Sequence, residues 1–209
     1  MVTKTSTAAL PVIRRGRTRR ILPAEVRVDD LMSAAATLFI AKGIEATTIN
    51  DIVERAGVAK GTFYHYFETK EDVILALRER FSRDFTDEVA RAVESCPADD
   101  HRARFAAWLR GTIEAYVARY ELHDVVFHEF RHSNRNAKDK EIVLAQLGDL
   151  LAAGVEAGAW KLPVVRAAAI VIFDGMHGVV DDAIAAGQRD AELIRSRLAG
   201  LFSRMLSGG

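Results

Sequence analysis

The stretch AGVAKGTFYHYFETKEDV, Ala56 to Val73, decides how this chain is read. Phe63, Tyr64, His65, Tyr66 and Phe67 stand in an unbroken row, after a Gly-Val turn and before a charged helix start. Five consecutive rings cannot all face one core. Phe63 and Phe67 are i and i+4, so on a helix they share a face. That face can pack with Val58, Ile52 and Leu38. Lys60, Gly61, Tyr64 and His65 then fall on roughly the opposite face, open to an external partner.

The flanking residues give the row its frame. Thr48 is a good N-cap, and Asp51 stands where an acid answers it, so a helix opens at Thr48. Its apolar stripe is Ile49, Ile52, Val53 and Ala56. Gly57 suits the left-handed residue that ends a helix. A short third helix is predicted from about Ala59 to Tyr66. Thr69 caps a fourth, with Asp72 in the answering position, running from Lys70 to about Ser95 before Pro97. Upstream, Leu31, Ala35, Leu38 and Phe39 mark one face of a helix from about Pro23 that stops at Gly43. Two short helices joined by a tight glycine turn form a helix-turn-helix, whose second helix enters the major groove of DNA.

The residue types fit that task. Gly61 has no side chain, so its helix can lie close to a sugar-phosphate surface. Lys60 is a cation at the start of the reading helix. Thr62, Tyr64 and Tyr66 offer hydroxyls to phosphate oxygens. His65 can reach a base edge or a phosphate. Thr48 and Lys70 begin flanking helices whose N-terminal N–H groups favour phosphate.

The segment TTINDIVERAGVAKGTFYHYFETKEDV, Thr47 to Val73, closely resembles the signature of TetR-family transcriptional regulators, over about residues 24–75. The resemblance implies an all-α fold. It has an N-terminal three-helix DNA-binding unit and a helical C-terminal domain for effector binding and dimerisation. It implies a ligand-responsive regulator, a repressor that binds a palindromic double-stranded operator as a homodimer and is released by a small-molecule effector. By motif position it sets Thr48, Lys60, Thr62, Tyr64, His65 and Lys70 at DNA, with Tyr66 a second backbone contact or a packing residue. Three segments follow: a flexible basic arm over 1–22, the helix-turn-helix domain over 23–69, and the effector and dimerisation domain over 70–209.

Composition agrees. The net charge is zero, yet residues 1–70 carry 11 Lys+Arg against 7 Asp+Glu, and RRGRTRR at 14–20 is a like-charge run. A basic first third suits a polyanion, and a basic arm suits the minor groove. The single cysteine, Cys96, excludes an internal disulfide and fits a reducing setting. No apolar run reaches the ~20 residues of a membrane span, and no signal-peptide core follows the basic start. A cytoplasmic protein without membrane partners is expected.

Beyond residue 95 helices are expected near 101–120, 121–133, 138–158, 163–187 and 190–206. The last two, rich in small residues and then in Leu193, Ile194, Leu198, Leu201, Phe202 and Leu206, are the expected dimer surface. Asp174, His177 and Asp181 share a stripe on an otherwise apolar helix, while His123, His128, Glu129 and His132 crowd another. Such clusters can bind a metal, orient a polar ligand or form an interface hydrogen-bond network. No HExxH-type motif is present, and no metal, cofactor or catalytic residue is assigned. The ligand-lining candidates are Trp108, Tyr116, Phe127, Phe130, Asp174 and His177, with Phe105 and Met176 behind them. Two other functions compete. One is a DNA-binding regulator controlled by a protein partner, with a filled C-terminal core. The other is a metal-dependent helical enzyme using the histidines.

Overall fold

The computed structural model describes residues 24–129 and 138–207. The expected basic arm at 1–22, Phe130 and His132 lie outside these residues. Among the described residues all regular structure is helical: α1 Ala24–Lys42, α2 Ile49–Arg55, α3 Lys60–Tyr66, α4 Lys70–Glu94, α5 His101–Ala118, α6 Tyr120–His123, α7 Lys138–Glu156, α8 Val165–Ala185 and α9 Ala191–Ser207. A π-helical stretch, Asp124–Glu129, continues α6.

Local chemistry sets the early boundaries. At α2 the Asp51 carboxylate accepts from the Thr48 N–H (2.8 Å), and the Thr48 hydroxyl oxygen accepts from the Asp51 N–H (3.2 Å). Thr69 and Asp72 repeat this reciprocal pairing at α4 (2.8 and 3.2 Å). Each pair satisfies N–H groups that a helix start would otherwise leave without partners. Gly57, at φ +67°, closes α2 in a Schellman turn, with the Val58 N–H donating to Val53 O and the Gly57 N–H to Glu54 O.

Two apolar cores meet along α4. The first gathers Leu31, Ala35, Phe39, Ile52, Phe63 and Phe67 with Val73, Ile74 and Leu77 from the start of α4. The second begins at Phe81 and takes in α5, α7, α8 and α9. One rigid helix therefore belongs to both.

The expected single helix over 121–133 is broken up. Arg119 leaves helical geometry (φ −130°), α6 is one turn, and the π-helical stretch follows. Val125 and Val126 pack into the first core, whereas His123 and Phe127 face the second. This short stretch thus touches both cores, a division that a regular α-period does not announce.

At the far end, Trp160 packs closely against Gly154, and its indole N–H donates to Leu151 O at 2.8 Å. The expected dimer residues divide. Ile194, Leu198, Phe202 and Leu206 are buried within the chain, and only Leu193 and Leu201 are exposed. The main apolar stripe of α9 is spent inside the chain, which leaves Leu193 and Leu201 for a second copy.

Candidate nucleic-acid interface and interior pocket

The ring row splits between core and solvent. Phe63 is fully buried and Phe67 nearly so, their rings 5.8 Å apart. Lys60, Gly61, His65 and Tyr64 are exposed, Tyr64 by 52%. Thr62 is half-buried. Tyr66 is also half-buried and packs on the first core, its ring edge-on to His65 at 4.7 Å. The first core thus drives α3 into place from one side and leaves the other side bare. No Cβ at Gly61 would touch anything within 4 Å, so that surface is open for close approach.

Two of the expected DNA residues are already engaged inside the chain. The Thr48 hydroxyl serves the cap of α2 and also donates to Asp51 Oδ2 at 2.8 Å. Lys42 joins the same carboxylate at 2.7 Å. The Lys42 ammonium foremost, then the Thr48 donors, hold the Asp51 carboxyl well below the usual carboxylate range. Lys70 turns inward. Its ammonium donates to Ile44 O at 2.8 Å and Thr47 O at 2.7 Å, tying the start of α4 to the α1–α2 turn. The sequence held no sign of this bond, because its acceptors are main-chain carbonyls more than twenty residues away.

The second region is a cavity of about 370 Å³ in the second core, within the size range of small-molecule sites. Its lining comes from α4 (Arg78, Phe81, Ser82, Phe85), α5 (Tyr116), α6 and the π-helical stretch (His123, Phe127), α7 (Asp139, Lys140, Val143) and α8 (Phe173, Asp174, His177, Asp181). Of the expected ligand residues, Tyr116, Phe127, Asp174 and His177 meet here. Trp108 does not. It is fully buried and borders a different cavity with His101, Gln146 and Asp149. Phe105 packs toward Trp160, and Met176 is wholly core. Trp108 and Tyr116, just over two turns apart on α5, border different cavities, which aromatic content alone does not reveal.

Charge is ordered from mouth to floor. Lys140 pairs with Asp174 toward solvent, and Arg78 with Asp139 in a mostly buried pair, each at 2.6 Å. The Arg78 guanidinium also lies 4.7 Å from the Phe127 ring centre. Inside, the Tyr116 hydroxyl donates to Asp181. Burial first, and that carboxylate second, push the Tyr116 phenol far above its ordinary value, so it stays a neutral donor. The Tyr116 ring sits 4.1 Å from that of His123 and 4.9 Å from that of His177. The two sequence clusters, around His123 and around His177, therefore share one wall. Among the described residues no three His, Cys, Asp or Glu side chains gather as a metal site. No helix among them is long and apolar enough to cross a membrane.

Residues 31–77, from the first core helix through the reading helix into α4, match the family model described as bacterial regulatory proteins, tetR family. The chain carries the DNA-binding domain of that family over these residues. It is similar to the transcriptional repressor KstR2 of Rhodococcus jostii, 29% identical over 145 residues, covering 65% of this chain and 68% of that one. KstR2 of Mycolicibacterium smegmatis is 43% identical over 61 residues, 29% of this chain and 28% of that protein. The fold extends further. The regulator FadR of Bacillus subtilis, solved in complex with stearoyl-CoA, superposes with a TM-score of 0.71 at 21% identity, over 87% of this chain and 98% of that one. The chain is a DNA-binding transcriptional regulator.

Proposed function

We propose that the protein is a repressor that binds a palindromic operator as a homodimer and is released by a small molecule seated in the α4–α8 pocket. The observation that carries the DNA half is the bare face of α3, opposite the buried Phe63 and Phe67. On that face Lys60, Gly61, Tyr64 and His65 meet DNA, flanked by Thr62, Tyr66 and Thr48. Lys70 contributes its position and the N-terminal N–H groups of α4, while its ammonium holds the α1–α2 turn. A single unit reads few bases. A dimer reads two half-sites about 34–36 Å apart or a multiple of that. The exposed Val171 on α8 and the exposed Leu193 and Leu201 on α9 supply an apolar face for the second copy, with Gly178 and Gly200 allowing close approach.

The cavity supports control by a small molecule over control by a protein partner, because a partner-controlled core has no use for such a space. The acyl-CoA in the Bacillus neighbour supports the same reading. The reading assigns no catalytic group. Selection of bound duplexes from random DNA tests it, followed by titration of the winner across a salt series. A recovered palindrome whose affinity falls steeply with salt is the expected result. Recovery of no sequence above background by protein freed of bound small molecules sinks it.

A further inference from the structure

We propose that the pocket takes a small apolar amine, protonated at neutral pH, whose ammonium is received by Asp181. The inference rests on the small-molecule reading above and names its chemistry. Among the described residues the pocket is lined by two cationic side chains and three carboxylates. Both cations are matched, Arg78 by Asp139 and Lys140 by Asp174. Asp181, half-buried, meets no Lys or Arg among the described residues. One of its oxygens accepts the Tyr116 hydroxyl, and the other takes no hydrogen bond from a described residue. Tyr116 is held neutral, so the floor presents a carboxylate with spare acceptor capacity.

The walls suit a cation as well. Phe81, Phe127 and Phe173 already lie against Arg119, Arg78 and Lys140, at 5.6, 4.7 and 5.6 Å from the ring centres. Aromatic faces attract cations through their quadrupole. Phe85 and Tyr116 complete the apolar lining nearer the floor. An anionic ligand has to displace Asp139 or Asp174 from its partner and also bring negative charge toward Asp181. A neutral ligand closes over Asp181 and leaves a carboxylate desolvated without a counter-charge, which is costly. A protonated amine does neither.

The test uses the full-length, tag-free protein and three probes of matched shape: 4-phenylbutylamine, 4-phenylbutanol and 4-phenylbutyrate. A ligand specific for the folded state raises Tm. The expected order of binding is amine, then alcohol, then carboxylate, with the amine at least tenfold tighter than the alcohol. Asp181→Asn keeps an acceptor for Tyr116 and removes the charge. It is expected to erase the preference for the amine and leave the alcohol unchanged. The wild-type ranking stands by itself should that variant fold poorly. Carboxylate binding equal to or tighter than amine binding overturns the proposal. So does an amine preference that survives in Asp181→Asn, or no shift with any probe at millimolar concentration. Stearoyl-CoA is run alongside. A rise in Tm with it alone overturns the amine proposal and leaves the small-molecule reading intact. Operator binding by the ligand-free protein, measured in parallel, reports on the DNA reading separately.

Discussion

The α2–α3 corner and the α4–α8 pocket are built in opposite ways. In the corner, cap, turn and packing face lie within about twenty residues of one another. Thr48 answers Asp51, Gly57 ends α2, and Phe63 pairs with Phe67. The pocket draws single side chains from α4, α5, the α6–π segment, α7 and α8, separated by up to about a hundred residues. A surface made by local rules holds its shape through short-range contacts. A cavity made by distant helices depends on how those helices pack.

The corner is most vulnerable at the packed face of α3. Phe63→Ala removes a fully buried ring from the first core, and losses of about 3–5 kcal/mol are typical of such changes. The expected outcome is a sharply lowered Tm and no operator binding. Tyr64→Ala, on the bare side of the same helix, should weaken binding with Tm nearly unchanged. Equal loss of Tm in both variants would show that the two faces of α3 are not distinct.

At the other end of the molecule, Gly154→Ala drives a methyl into the Trp160 ring. Overpacking of this kind costs about 1–3 kcal/mol. Calorimetry should show the second core melting earlier, with operator affinity at low temperature preserved. Lost affinity there would mean that the two cores do not act separately through α4.

Lys60 and Lys70 sharpen the reading surface itself. Lys60→Ala should lower affinity for all sequences and reduce the slope of log K against log[salt] by about 0.9, the share of one phosphate. Lys70→Ala should lower both affinity and Tm and leave that slope unchanged, because its ammonium holds Ile44 O and Thr47 O. A reduced slope for Lys70→Ala would place its charge on a phosphate instead.

The smallest effect concerns acid. Asp51 and Asp72 both have carboxyls lowered from 3.8, Asp51 by Lys42 and Thr48, Asp72 by the Thr69 N–H and hydroxyl. Groups depressed in the folded state add stability above their unfolded value and lose it as pH falls below it. The first core should therefore weaken below about pH 4, and Asp51→Asn should flatten that acid limb. Fluorescence and far-UV melts across pH 2 to 6 check this. An unchanged limb would mean that the caps contribute little to the corner.

Much of the corner was legible beforehand because its logic is periodic and local. The i, i+4 ring pair, both reciprocal caps and the left-handed Gly57 follow from residue types at fixed spacings. The α8 stripe of Asp174, His177 and Asp181 was legible as a stripe, but its division was not. Asp174 goes to the mouth with Lys140, while Asp181 goes inward to Tyr116. Trp108 was misplaced because a large ring on a middle helix satisfies core and pocket equally well in a linear reading.

The sequence by itself determined that this chain is helical, where its early helices begin and end, and which face of α3 is left bare. Those features depend on interactions a few residues long, with energies set by side-chain type. Only the tertiary structure decided that Lys70 binds the α1–α2 turn, that α6 passes into a π-helix serving two cores, and that Tyr116 meets Asp181. Each of these depends on which helices come to lie side by side. That choice is made by the summed burial of two whole cores, and no single spacing along the chain records it.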